Sequence, residues 1–143
     1  MLDTQQKIKQ YKNVAVAIVR NEEGKVLLVK PTDMEISLEQ ELWDFPSNII
    51  IPGSTYTETF ASEVLEKTGC IIEAVSLISS EKIHSASLQY EFVECKIICK
   101  DSSFKNRYAN HIKWVPAQKL REYFQKRINK DLLRYFGLMS DKI

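Results

Sequence analysis

Between Thr55 and Gly69 both ends of a helix are marked in the residues themselves, and this segment narrows the possible folds more than any other. Thr55-x-x-Glu58 is a capping box, in which the Thr hydroxyl and the Glu carboxylate each satisfy a backbone N–H that the first turn leaves unpaired. Phe60, Ala61, Val64, Leu65 and Thr68 recur at helical spacing, and Gly69 supplies the residue that most readily ends a helix in a left-handed turn. The spacing predicts a helix over about Tyr56 to Thr68 with its apolar stripe on a sheet and Glu63, Glu66 and Lys67 together on the opposite, solvated side.

The sheet is supplied by the runs on either side. Val14 to Arg20 and Lys25 to Lys30 are rich in β-branched residues and flank Asn21-Glu22-Glu23-Gly24, which predicts a hairpin. Pro31 to Glu41 is polar and without period, a surface loop beside a site, and Leu42 to Phe45 returns as a short strand. Cys70 to Ile78, Leu88 to Cys99 and His111 to Val115 read as further strands, with Ser79-Ser80-Glu81-Lys82 as a loop between the first two. Pro116 opens a helix through Leu120 and Tyr123, and another runs from Asn129 to Phe136, ending at Gly137. Strands alternating with helices, without repeats or linkers, predict a single α/β domain over residues 1–143.

Its 143 residues, 44% of them hydrophobic and 27% charged, suffice for one sizeable core. A formal net charge of +1 provides no bulk field for nucleic acid or an anionic membrane, so an anionic ligand must be met locally. Met1 to Asn13 is polar, and no run approaches the roughly 20 apolar residues of a membrane span, which places the expectation in the cytoplasm. Cys70, Cys95 and Cys99 are odd in number and lie in predicted strands, so they read as thiols rather than disulfides, with Cys95 and Cys99 on one strand face.

Chemistry concentrates on the helix. Carboxylates at i and i+3, here Glu63 and Glu66, beside a tight loop can hold a divalent cation against a pyrophosphate. Lys67 sets an ammonium next to them, which repels such a cation by on the order of several kcal/mol unless it turns away, or which contacts a phosphate itself. The bland alternative is a solvated face on which Glu63 and Lys67 form an i, i+4 pair worth ~0.3 kcal/mol. Glu81, Glu91 and Glu94 are candidates for a general base, Trp43, Phe45 and Tyr90 for stacking on a base, and Lys30 for meeting phosphate. Arg121, Lys126, Arg127 and Lys130 are interrupted by acids and read as a solvated helix face.

The order of these segments, with Val14-Ala15-Val16-Ala17-Ile18, Val26-Leu27-Leu28-Val29, Leu42-Trp43-Asp44-Phe45-Pro46, the capped helix and Trp114-Val115-Pro116, resembles the MutT-like Nudix hydrolases over nearly the whole chain. The motif of that family runs Gly, five residues, Glu, seven residues, Arg-Glu-apolar-x-Glu-Glu-x-Gly-apolar. With Gly69 setting the register, Asn48 falls on the first Gly, Ser54 on the first Glu, Ser62 on the Arg, Glu63 on the next Glu, Glu66 on the first of the paired Glu and Lys67 on the second. The resemblance implies an α/β/α sandwich with a mixed sheet that cleaves a nucleoside diphosphate derivative, a nucleoside triphosphate among the candidates, with Mg²⁺ or Mn²⁺. It assigns Glu63, Glu66 and the Asn48 carbonyl to the metal and Lys67, Lys30 and Phe45 to the substrate, with a homodimer as a possible assembly. The four departures at Asn48, Ser54, Ser62 and Lys67 imply weak or atypical turnover, or a nucleotide-binding domain that does not cleave. Asn48 is expected to keep the left-handed turn of the missing glycine, and Ser54 and Ser62 to hold the loop through their hydroxyls.

Overall fold

Strand β1, Lys12–Val19, is buried on both faces from Val14 onward, and the architecture follows from that. Side chains alternate across a strand, so Val14, Val16 and Ile18 enter one core and Ala15, Ala17 and Val19 another. The computed structural model describes residues 11–30, 43–101, 103–105, 107, 109–124 and 127–139. The expected loop Pro31 to Glu41, together with Leu42 and Lys126, lies outside them.

β1 is flanked by β3, Ser47–Ile49, and β5, Leu88–Lys100, the first antiparallel and the second parallel to it. The long strand β4, Cys70–Ile83, closes the sheet in the order β3-β1-β5-β4. A second sheet pairs β2, Lys25–Val29, with β6, Ile112–Pro116. Helix α1, Tyr56–Thr68, covers one face: Phe60 and Val64 pack over Ala15 and Ala17, whose small side chains let the helix approach closely. Two shorter helices, α2 at Leu120–Tyr123 and α3 at Lys130–Tyr135, cover the other face with Leu120, Leu132 and Leu133. The result is a mixed sheet between helices, as the sequence predicts.

Helix α1 has the predicted bounds and both halves of its capping box, with Glu58 N donating to Thr55 Oγ1 at 3.1 Å and Thr55 N to Glu58 Oε1 at 2.9 Å. Its orientation differs from the expectation in one respect: Lys67 is buried, 5% exposed, and belongs to the stripe of Phe60 and Val64, while Leu65 is exposed. Lys67 lies seven residues from Phe60 and three from Val64, both spacings that return to one helix face, so geometry overrides side-chain polarity.

Several strand boundaries move for equally concrete reasons. The predicted hairpin of β1 and β2 shrinks to the bridge Arg20 to Val26, because both edges of β1 are taken by β3 and β5. The predicted strand over Leu42 to Phe45 is reduced, within the described residues, to a bridge between Val29 and Asp44; regular pairing begins at Ser47, after Pro46, which has no N–H to donate. Ser79 to Lys82 is not a loop but the continuation of β4, paired opposite Phe92 to Gln89. A bulge at Ile98 shifts the register so that Cys95 is buried and Cys99 exposed, and the two thiols do not share a face. Asn48 sits in β3, and among the described residues Ser87 is the only non-glycine with positive φ, so the left-handed turn expected at Asn48 does not form.

Gly69 ends α1 at φ 75°, and a Cβ there would lie 2.5 Å from Cγ of Phe104. Gly69→Ala combines left-handed strain with this clash and is expected to lower stability by about 1–3 kcal/mol, read as a reduced urea midpoint at unchanged slope.

Candidate active site

The two Glu63 carboxylate oxygens face different surroundings. Oε2 accepts from Lys67 Nζ at 3.3 Å, whereas Oε1 is buried and has no hydrogen-bond partner among the described residues. Lys67 is buried up to its ammonium, which meets a half-buried carboxylate, so the pair is not the solvated surface contact read from spacing alone. Its position in the last turn also sets a positive charge against the negative end of the helix. Glu66 is exposed on the same helix.

Ser54 and Ser62 do not hold the adjoining loop as expected. Among the described residues neither hydroxyl makes a hydrogen bond; the turn is closed by Ser54 N donating to Ile51 O at 2.9 Å and by the capping box behind it. Asn48 ties β3 to the helix, its Nδ2 donating to Thr59 O at 3.3 Å.

β3 also forms one wall of a cavity of about 260 Å³ on the opposite side of the sheet. Ser47 lines that cavity, whereas its neighbour Asn48 turns to α1, so one step along β3 joins the two regions. The cavity floor is Val16, Tyr90 and Phe92, and its apolar walls are Phe45, Phe124 and Leu132. Phe45 is 4% exposed, with ring centroids 5.0 Å from Phe124 and 6.3 Å from Phe136. Asp44, Glu81, Arg127 and Asn129 supply polar groups.

The remaining expected residues separate. Glu81 lies in the cavity and accepts from Asn129 Nδ2 at 2.6 Å. Glu91 pairs in register with Ala15 on the α1 face, where it accepts from the Tyr56 hydroxyl. Glu94 accepts from Tyr135 at 2.8 Å and from Ser76 at 3.1 Å. Lys30 and Lys113 both place Nζ 5.5 Å from the Trp43 ring, which is core rather than cavity lining. Arg127 lines the cavity and precedes α3 instead of lying on a solvated helix face. Sequence reasoning missed Asn129 as a site residue. Its signal was its place immediately before a helix, where a capping amide is expected to be held rigidly.

Among the described residues no three His, Cys, Asp or Glu side chains converge as a metal cluster. The donor chemistry nevertheless suits a cation at α1: a buried carboxylate oxygen without a donor costs free energy that a cation relieves, and Glu66 and the Asn48 carbonyl are oxygen donors of the kind Mg²⁺ and Mn²⁺ prefer. Lys67 leaves the trio with one net negative charge where a third carboxylate would leave three, so attraction for a divalent ion is reduced.

The NUDIX domain family model matches residues 10–136. The chain belongs to the Nudix family. It is 29% identical over 80 residues to mouse 8-oxo-dGDP phosphatase NUDT18, covering 56% of this chain and 24% of that protein. It is 31% identical over 87 residues to nucleoside diphosphate-linked moiety X motif 6 of Xenopus laevis, covering 61% of this chain and 38% of the relative. The chain therefore matches well under half the length of either. A NUDIX hydrolase from Nitrosomonas europaea shares the fold at a TM-score of 0.66 and 21% identity, over 90% of this chain and 71% of that one. Nudix hydrolases generally use divalent metal ions, and against that background the exchange of a motif carboxylate for buried Lys67 is the main departure of this member. Among the described residues no helix is long and apolar enough to cross a membrane.

Two half-buried tyrosines and one buried thiol make the stability depend on pH. Burial, with the hydrogen bond to Glu91 second, pushes Tyr56 from 10.0 up to about 12; burial and then Glu94 do the same to Tyr135; burial pushes Cys95 from 9.0 to about 12. A pKa raised on folding means that the native state holds the proton more tightly, so stability is full below about pH 9 and is lost as pH rises toward 12. Unfolding midpoints measured from pH 8 to 11.5 should fall steeply above pH 9, and the fall should be shallower in the Tyr56→Phe, Tyr135→Phe double variant.

Proposed function

We propose that this Nudix protein binds a nucleoside diphosphate derivative and hydrolyses its pyrophosphate at a low rate. The observation that carries the reading is the step along β3, where Ser47 belongs to a cavity of nucleoside dimensions and Asn48 to the carboxylate-bearing helix. A ligand with its base in this cavity, against Tyr90 and Phe124, would direct its phosphates over this strand toward α1. The names of the mouse and Xenopus relatives, which specify 8-oxo-dGDP and nucleoside diphosphate-linked moieties, support this substrate class.

Glu63 through Oε1, Glu66 and the Asn48 carbonyl are the residues proposed to hold Mg²⁺ or Mn²⁺. When bound, such an ion supplies charge neutralisation for the pyrophosphate and a water of lowered pKa. Lys67 holds Oε2 of Glu63 in place and weakens the ion's hold; it and Lys30 are the proposed cationic contacts to phosphate. A second reading, recognition without cleavage, is favoured by one specific observation. The Lys67 ammonium is buried and already paired with Glu63, so the protein carries a fixed cation where its relatives' motif has a carboxylate.

Turnover of a panel of nucleoside di- and triphosphates with Mg²⁺ or Mn²⁺ decides between them. The hydrolase reading expects slow, metal-dependent release that Glu63→Gln lowers on the order of 100-fold and that Lys67→Glu raises by restoring the third carboxylate. No release with any nucleotide, together with a nucleotide-dependent rise in melting temperature, would establish binding alone. Activity that persists in Glu63→Gln would remove α1 from the chemistry.

A further inference from the structure

Strand β5 outlasts its neighbour. Its parallel pairing with β1 ends at Val19 opposite Cys95, yet β5 continues to Lys100 with β4 on its other side. After Val19 the chain leaves the sheet: Arg20 bridges to Val26, and Asn21 to Gly24 turn into β2. Between that turn and the overhang of β5 lies a cleft of about 580 Å³, which shares no lining residue with the cavity beside β3. Every residue from Cys95 to Lys100 lines it, facing Arg20 to Glu23. Side chains alternate across a strand, so a cleft on one face of β5 would touch every second residue; contact with a continuous run means that the cleft follows the strand's edge. Among the described residues the backbone of Lys96 to Lys100 pairs with β4 alone, so the N–H and C=O groups that point the other way stand open over roughly 15 Å. The far wall is held rigid, because Asn21 Oδ1 accepts from Glu23 N and Lys25 N, both at 3.0 Å, and Asn21 O accepts from Gly24 N at 2.9 Å.

We propose that this edge docks an extended, acidic segment of a partner protein, which adds to β5 as a strand in the place that β1 vacates. Main-chain hydrogen bonds to the open edge supply the attachment, and the side chains opposite β5 supply the choice. Three cations, Arg20, Lys96 and Lys100, line the cleft against Glu22 and Glu23, and Glu23 is already paired with Lys25 at 3.6 Å. Among the described residues neither Lys96 nor Lys100 makes an ion pair, so carboxylates four residues apart on an incoming strand meet two uncommitted ammonium groups. Ile98, 54% exposed midway between them, receives an apolar side chain. The same charges reject a second copy of this chain. Two β5 edges related by a two-fold axis at Ile98 would set Lys96 of each opposite Lys100 of the other, and like charges directly opposite are unfavourable. Lysines and a bulge on an open edge deter indiscriminate pairing, which leaves an acidic strand as the favoured occupant.

Calorimetry and amide hydrogen exchange on the full chain, with the capped peptide Thr-Glu-Thr-Val-Thr-Glu-Thr as probe, test the proposal without recourse to nucleotide or metal. The peptide should bind and slow the exchange of the cleft-facing amides among Lys96 to Lys100. The same peptide N-methylated along its backbone keeps every charge but cannot pair with a strand, and should bind at least ~10-fold more weakly. Replacing its two Glu by Lys should also cost ~10-fold, and the Lys96→Glu, Lys100→Glu variant should reverse the preference between the acidic and the basic peptide. Both lysines are exposed, which spares the fold in that variant, and the modified peptides carry the test on the unaltered protein as well. No binding of the acidic peptide, binding that survives backbone methylation, or binding without protection of those amides would overturn the docking site. Sedimentation showing a dimer whose formation protects the same amides would overturn the choice of occupant.

Discussion

Burial of β1 on both faces is the constraint from which the rest of the molecule follows. A strand whose alternate residues all leave water requires a layer on each side, and each layer must match the side chains it receives. Ala15 and Ala17 admit the close approach of α1, while Val14, Val16 and Ile18 meet the bulkier residues of the C-terminal helices. Each large side chain sealed there, Phe60 and Leu132 among them, contributes roughly 1.5–3 kcal/mol by leaving water. The same division places the carboxylate helix on one side of the sheet and the apolar cavity on the other, so that β3, at the sheet edge, is the short path between them.

Lys67 occupies the point where packing and chemistry meet. Its stem completes an apolar stripe that would otherwise lack a residue, and its ammonium ends on the carboxylate that the family's motif assigns to metal. An ammonium and a carboxylate at 3.3 Å satisfy one another only in part, since one oxygen of Glu63 remains buried without a donor. The pair therefore leaves some demand for a cation while already holding one, which reduces but does not abolish the attraction for a divalent ion.

Much of the fold was legible before any coordinates. The capping box, the Gly69 stop and the Asn129 cap mark helix ends through local hydrogen bonding that neighbours in sequence settle between themselves. Less legible were features decided by distant partners. Ser79 to Lys82 carries turn-forming residues yet extends β4 because Phe92 to Gln89 offer a complete hydrogen-bonding edge. The bulge at Ile98 separates two cysteines that simple alternation puts together. The charge of Lys67 points to solvent, but its spacing from Phe60 and Val64 carries it to the buried face of α1.

The sequence by itself determined the bounds of α1, though not of α2, which begins at Leu120 rather than at Pro116, as well as the apolar periodicity that demands a two-sided sheet and the family register that singles out Glu63, Glu66 and Lys67, because each of these depends on spacing along the chain. Only the tertiary structure decided that Lys67 faces the core, that Glu81 and Arg127 share a cavity with Phe45, and that β1 pairs with β5 instead of forming a long hairpin with β2. Those outcomes arise from competition between segments far apart in the chain for the same hydrogen-bonding edges and the same apolar volume, and no local pattern records which segment prevails.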